Sequence, residues 1–145
     1  MKLVPAIALA LSASLLPPLS AQADDQPIEK ALIIVNSGSL QTQGMAMVLG
    51  NALQQEGTRV DVLLCDQAGD LALSETANEP LKPREVTPEQ LMQKLQASGA
   101  EINVCALYLP NSEHDRDDLR TGIGVATPAA VARQMASSDT RVFSF

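Results

Sequence analysis

Two cysteines, Cys65 and Cys105, carry the side chains of this sequence that are best suited to covalent chemistry. Each one closes a mainly apolar run of residues, which is typical of the end of a buried strand. A thiolate in such a place attacks sulfur or carbon when it is accessible and when a neighbour favours its charged form. A cysteine at the end of a strand is also often an inert part of the core, and paired cysteines in exported proteins often form a disulfide.

A second candidate for chemistry is a polar turn after the first apolar run, where Ser37, Gly38 and Ser39 precede a helical pattern. Backbone N–H groups at a helix start can bind an anion, so these three residues are candidate binding residues. The turn lacks the glycine spacing of a dinucleotide site or a P-loop. A simple tight connection between strand and helix is therefore the favoured interpretation.

The single histidine, His114, stands in an acidic stretch with Glu113, Asp115, Asp117 and Asp118. Such a cluster can in principle bind a metal ion, but a solvated charged face or the start of a short helix is the favoured interpretation. No HxH, HExxH or CxxC spacing supports a metal centre. We predict no metal and no cofactor, and the sequence carries no Ser–His–Asp signature.

Short apolar runs alternate with amphipathic stretches along the chain, which is the pattern of an α/β protein. In the longest amphipathic stretch one apolar stripe is formed by Met45, Val48, Leu49, Ala52 and Leu53. Residues 66–84 are polar and contain prolines, so they are expected to form a long loop that is a candidate functional segment. We predict helices over residues 44–56, 88–99 and 128–135, a short helix near 115–119, and strands over residues 31–35, 59–65, 101–107, 123–125 and 141–145.

The predicted fold is a three-layer α/β/α domain with a mainly parallel sheet of about five strands. Ligands of such sheets collect at the carboxyl ends of the strands, where Cys65, Cys105 and the 37–39 turn should lie. If the first strand lies between the second and the third, the two cysteines are two strand spacings apart, about 9.5 Å. A disulfide needs Cα atoms within about 7 Å, so this order makes a Cys65–Cys105 bridge the less expected state.

The first 23 residues have the pattern of a secretion signal, with Lys2 at the start, an apolar stretch from Leu3 to Leu16 and an A-x-A site that ends at Ala23. A membrane span needs about 20 apolar residues, and this run is shorter and contains a proline. We therefore expect cleavage after Ala23, with Ala21 as the alternative. The remainder, residues 24–145, is expected to be one exported domain with no membrane span.

The mature chain would carry nine Lys and Arg against seventeen Asp and Glu, a net charge of −8. Nucleic acids and anionic lipid surfaces attract basic proteins, so neither is an expected partner.

Three segments together resemble the DsrE/DsrF-like family: residues 31–35, the Gly-x-x-Ile-x-Val-Cys pattern of residues 99–105, and the C-terminal residues 140–145. The resemblance covers most of the mature chain and implies a DsrE-like fold and a homo-oligomer, most simply a dimer or trimer. It also implies a sulfur carrier that holds a persulfide on Cys105 and exchanges it with a donor or acceptor protein. His114 or Arg116 in the following loop would then stabilise the Cys105 thiolate. The known carriers are cytoplasmic, whereas this chain is expected in the periplasm.

The alternative hypothesis is a non-catalytic, oligomeric periplasmic binding module. Its two cysteines would be structural, and a pocket at the strand ends would hold a small ligand.

Overall fold

A computed structural model describes residues 28–145 of the chain. The predicted signal peptide, residues 1–23, and its cleavage site lie outside the described residues. The principal elements, in chain order, are β1 (Lys30–Val35), α1 (Leu40–Gln55), β2 (Arg59–Leu64), α2 (Pro88–Ala97), β3 (Glu101–Val104), β4 (Gly124–Val125), α3 (Pro128–Met135) and β5 (Thr140–Ser144). Short 3₁₀ helices span Asp66–Ala72, Leu109–Asn111 and Arg116–Asp118.

The five strands form one sheet in the order β4-β3-β2-β1-β5, and every neighbouring pair is parallel. Apolar side chains alternate along the central strands, so that Ile33, Val62 and Ile102 face the layer of α1 and α2. Leu32 and Leu63 point to the opposite face, where they line a groove beneath α3. The predicted three-layer α/β/α architecture with a parallel five-stranded sheet is thereby confirmed.

The start of α2 is determined by local sequence, as predicted. The Thr87 hydroxyl accepts a hydrogen bond from the Gln90 backbone N–H at 3.2 Å, and the Gln90 side chain accepts one from the Thr87 N–H at 3.0 Å. This reciprocal pair is a capping box, and Pro88 occupies the first helical position, where a missing N–H costs nothing. Thr127 and Pro128 begin α3 in a related way.

Helix α1 is longer than predicted, and it packs on a different face from the one that its apolar stripe indicates. It begins at Leu40, capped by Ser39, rather than at Gly44. An apolar stripe on a helix ordinarily faces the core. Here Met45, Val48 and Leu49 are 53 %, 47 % and 42 % exposed. The face that packs inward consists of Gln43, Gly44, Ala46, Met47, Gly50 and Asn51.

Small residues explain why α1 packs on this face. A Cβ atom added to Gly50 would lie 2.9 Å from Leu95 Cδ2 and 3.1 Å from Ile33 Cδ1, so this close approach to α2 and to the sheet depends on glycine. Asn51 then donates its side-chain N–H to the Leu91 carbonyl oxygen at 3.0 Å and joins the two helices. Close backbone packing and this hydrogen bond outweigh the burial of the larger apolar side chains.

The segment over residues 66–84 is not wholly the polar loop that the sequence predicts. Its first part is the Asp66–Ala72 3₁₀ helix, whose Leu71 is only 1 % exposed and belongs to the hydrophobic core. Arg120 fixes the segment from the other side, since its guanidinium donates to the Leu71 carbonyl at 3.1 Å and to the Thr76 carbonyl at 2.5 Å.

Within residues 28–145, no helix has the length and apolar character needed to cross a membrane.

Candidate functional site

The two cysteines lie side by side at the carboxyl edge of the sheet. In the register of β2 with β3, Leu64 pairs with Val104, and each cysteine is the next residue. The Cys105 N–H donates to the Leu64 carbonyl oxygen at 2.8 Å, which continues the ladder to this point. The expectation that β1 separates the two cysteines is therefore wrong, because β2 lies between β1 and β3. Neighbouring strands are about 4.8 Å apart, so the main geometric argument against a Cys65–Cys105 bridge no longer applies.

The two thiols touch and differ in character. Both side chains are free and partly buried, and the Cys65 thiol is hydrogen bonded to Cys105. Burial, followed by that hydrogen bond and by the charges of Cys105 and Asp66, raises the pKa of Cys65 to about 12. Cys65 therefore stays protonated at neutral pH, and in this contact it is the thiol that donates its S–H.

Both sulfur-bearing side chains line one open cavity of about 700 Å³. Its mouth carries Leu107, which is 72 % exposed and is the most exposed large apolar side chain of the described residues. The remaining walls are polar or acidic, and none of the residues that line the cavity in the described part of the chain is Lys or Arg. They are Asp66, Gln67, Asp70, Tyr108, Asn111 and Ser112.

Tyr108 forms the rigid wall of this cavity. Its ring lies directly against Gly69, where an added Cβ would come within 2.3 Å of ring carbons, so only glycine fits beneath it. Its hydroxyl donates to Asp70 Oδ1 at 2.7 Å. Burial and this hydrogen bond raise the pKa of Tyr108, so the phenol remains a donor. The contact joins the Asp66–Ala72 3₁₀ helix to the loop that carries Cys105.

The residues predicted to stabilise the Cys105 thiolate lie elsewhere. Arg116 is exposed on its own 3₁₀ helix and is not among the residues that line the cavity. His114 Nδ1 lies 3.4 Å from an Asp118 carboxylate oxygen and borders a different, smaller cavity. No Lys or Arg among the described lining residues takes the place of these two side chains, and the group beside Cys105 is the Cys65 thiol.

The turn at residues 37–39 is close to the cysteine cavity but does not enter it. Its hydroxyls act locally: Ser37 Oγ accepts from the Ser39 N–H at 3.1 Å, and Ser39 Oγ accepts from the Thr42 N–H at 3.5 Å. Gly38 lines a second cavity of about 310 Å³, which shares Gln67 and Asp70 with the first. The binding role of Ser37, Gly38 and Ser39 stays a prediction.

The second cavity contains one notable buried group. Gln43 is 3 % exposed, and its side-chain N–H donates to the Ser37 carbonyl at 2.9 Å. Its Oε1 atom has no hydrogen-bond partner among residues 28–145. No group of three or more His, Cys, Asp or Glu residues in the described part of the chain is arranged to hold a metal ion.

The fold and the thiol pair together define a class: a three-layer α/β protein with a DsrE-like fold and two adjacent cysteines at the carboxyl edge of its parallel sheet. Two solved structures share the fold. The crystal structure of the ychN protein from E. coli matches with a TM-score of 0.65 and 20 % sequence identity, over 81 % of this chain and 99 % of that chain. MTH1491 from Methanobacterium thermoautotrophicum, a protein of unknown function, matches with a TM-score of 0.58 and 13 % identity, over 80 % and 98 %.

Both of these proteins have the DsrE/DsrF-like fold, so the fold implied by the sequence resemblance is supported. No protein-family model matches the chain, and no curated protein matches it in sequence. At these identities the similarity establishes the fold and leaves the activity to be argued from the site.

The different environments of the two thiols predict different alkylation by iodoacetamide. In the native, reduced protein Cys105 should be labelled first. Only a thiolate reacts with iodoacetamide, and the thiolate form of Cys65 is rare at neutral pH. With its pKa raised to about 12, labelling of Cys65 should accelerate about tenfold for each pH unit between pH 7 and pH 9. Peptide mass mapping of a labelling time course measures both rates, and faster labelling of Cys65 at neutral pH would contradict this assignment.

Proposed function

We propose that this chain is a DsrE-like sulfur carrier that holds a persulfide on Cys105. One observation carries the proposal: Cys105 lies in an open cavity at the strand ends, next to a protonated thiol that hydrogen bonds to it. The storage of a second sulfur atom requires little more than an accessible cysteine sulfur with an adjacent S–H donor. The shared fold agrees with this role but does not by itself assign it.

The loading step needs no cofactor. The Cys105 thiolate attacks the outer sulfur of a donor persulfide, the S–S bond of the donor breaks, and the donor leaves as a thiolate that takes up a proton. Cys105 then bears the sulfur, and the number of electrons is unchanged. The S–H of Cys65 stabilises the negative charge on Cys105 before the attack, in the way that a donor to a charged acceptor generally does.

The walls of the cavity indicate what kind of donor fits. Asp66 and Asp70 give the entrance negative charge, and no Lys or Arg among the lining residues offsets it. Small anionic sulfur compounds are therefore disfavoured, whereas a protein persulfide surrounded by neutral or basic residues is favoured. Leu107 provides an apolar contact for such a partner at the mouth of the cavity.

The decisive measurement uses variants that retain a single thiol. Cys65→Ala keeps Cys105 and should gain one sulfur atom when incubated with the persulfide of a basic, cysteine-containing peptide, and cyanide should remove that atom as thiocyanate. The matched variant Cys105→Ala keeps only the partly buried Cys65 and should load at least about tenfold more slowly. Intact mass spectrometry follows both reactions and that of the wild-type protein. If neither the wild-type protein nor a folded Cys65→Ala protein takes up sulfur from the donor, the carrier function is contradicted.

If the carrier function is contradicted in this way, the alternative hypothesis of a binding module for a small ligand becomes the better account. One observation favours it: buried Gln43 lines the second cavity, and its Oε1 has no partner in the part of the chain that the structure describes, so a ligand with a hydrogen-bond donor would satisfy it.

The proposed site of action is the periplasm, after removal of residues 1–23. The sequence pattern at Ala21–Ala23 motivates this part of the proposal. The protein recovered from a periplasmic extract should then begin at Asp24, and its intact mass determines this directly. Protein that retains Lys2, or that is found only in the cytoplasm, would contradict the proposed location.

We further propose that the exposed stripe of α1, formed by Met45, Val48 and Leu49, binds a second copy of the chain. Helix α1 contains no Asp, Glu, Lys or Arg, although the whole chain has a net charge of −7. Two copies can approach through this uncharged face without the like-charge repulsion expected elsewhere on the surface. Exposed apolar residues grouped on one helix face are also what a symmetric interface requires.

Leu49→Glu should therefore weaken self-association without unfolding the chain, since Leu49 is 42 % exposed. Buried like charges in a symmetric interface should raise the dissociation constant at least about tenfold. Gln93→Glu on the exposed face of α2 adds the same charge and serves as the control. Sedimentation equilibrium at micromolar concentration measures both variants. A monomeric wild-type protein, or equal behaviour of the two variants, would refute this interface.

A further inference from the structure

We propose that Cys65 is a resolving thiol that attacks the persulfide on Cys105, releases hydrogen sulfide and closes a Cys65–Cys105 disulfide. The inference rests on the proposed carrier function, because it requires sulfur on Cys105. It adds a second activity: the chain would convert bound sulfane sulfur to free sulfide as well as pass it to a partner.

Backbone geometry supports this reaction first. The two cysteines occupy paired positions of neighbouring parallel strands, immediately beyond the Leu64–Val104 pair. Such positions are about 4.8 Å apart, and disulfides form readily between Cα atoms about 4.4–6.8 Å apart. The hydrogen bond that continues the ladder, from the Cys105 N–H to the Leu64 carbonyl at 2.8 Å, holds this spacing. The bridge therefore needs only side-chain rotation.

The side chains are equally well placed. The Cys65 thiol is in hydrogen-bonding contact with Cys105, and both line the same cavity. The open side of that cavity gives the outer sulfur of a persulfide a route to solvent as it leaves.

The step balances without an external oxidant. The Cys65 sulfur attacks Sγ of Cys105, the bond between Sγ and the outer sulfur breaks, and the outer sulfur leaves as HS⁻. The proton lost by Cys65 goes to the leaving sulfide, so the products are one disulfide and one H₂S. Two electrons pass from the two cysteine sulfurs to the sulfane sulfur. A dithiol reductant would supply two electrons to reopen the bridge for another cycle.

The experiment compares wild type with Cys65→Ala after loading with one equivalent of the persulfide of a basic, cysteine-containing peptide in the absence of oxygen. Wild type should release one sulfide per chain and end two hydrogen atoms lighter than the reduced protein, with the peptides of Cys65 and Cys105 joined. Cys65→Ala should retain the added sulfur and release sulfide at least tenfold more slowly. If the Cys65→Ala protein does not fold, Cys65→Ser serves in its place. The peptide map of the wild-type protein tests for the Cys65–Cys105 disulfide without any variant.

The possible failures can be distinguished. If wild type keeps its added sulfur as long as Cys65→Ala does, Cys65 is not a resolving thiol and the carrier function stands. If neither protein takes up sulfur, the carrier function itself fails, and this inference fails with it. A disulfide that joins two chains instead of Cys65 and Cys105 of one chain, seen as a doubled mass without reductant, would also overturn the proposal.

Discussion

The register of β2 against β3 is the constraint on which the site depends. It pairs Leu64 with Val104 and so places the next residues, Cys65 and Cys105, at the same height on the same edge of the sheet. Side chains alternate between the faces of a sheet, so a slip of one residue would send one thiol to the opposite side. The register is protected because Val62, Leu64 and Val104 are fully or almost fully buried, and a slip would expose them. Core packing thus determines the relative positions of the two thiols.

The cavity around Cys105 differs from the usual surroundings of a reactive cysteine. Reactive cysteines generally have a cationic neighbour or a helix N-terminus that stabilises the thiolate. Here the described walls carry Asp66 and Asp70, and the group beside Cys105 is the Cys65 thiol, which the proposed carrier function uses as a hydrogen-bond donor. Tyr108 keeps this arrangement rigid, because its ring rests on Gly69 and its hydroxyl holds Asp70. In the proposed function the acidic entrance favours neutral or basic partners, and the neighbouring S–H supports the nucleophile.

The sequence predicts those features that local interactions determine. The capping box of Thr87 and Gln90, the proline starts of α2 and α3, and the buried strands all arise from neighbouring residues, and they appear where expected. Strand order is a non-local property, and the assumption that β1 lies between β2 and β3 led to the wrong distance between the cysteines. The sequence predicts Cys105 at the strand ends, but this error concealed that Cys65 is its direct neighbour.

The sequence did not predict which face of α1 packs inward, because that face is also determined by non-local contacts. Its hydrophobic pattern indicates the exposed stripe, but Gly50 and Asn51 bury the opposite face through contacts with Leu95 and Leu91, which lie forty or more positions away in the sequence. The sequence signal for this packing was the glycine in the middle of the helix. A mid-helix glycine lowers helix stability, so its presence indicates a close approach of the helix to another element. The apolar stripe stays exposed on the described chain, and it is the surface that we propose binds a second copy.

The raised pKa of Cys65 connects the two proposed activities. Burial, followed by its contact with Cys105, raises the pKa of Cys65, so few Cys65 side chains are thiolates at neutral pH in the unloaded protein. In the proposed scheme, the burial that remains after loading keeps resolution slow and gives a bound sulfur time to be transferred to an acceptor. Whether sulfur is passed on or released as sulfide then depends on how quickly an acceptor reaches the cavity. One proton on Cys65 thus has two roles in that scheme: it supports the nucleophile during loading and delays the release of sulfide.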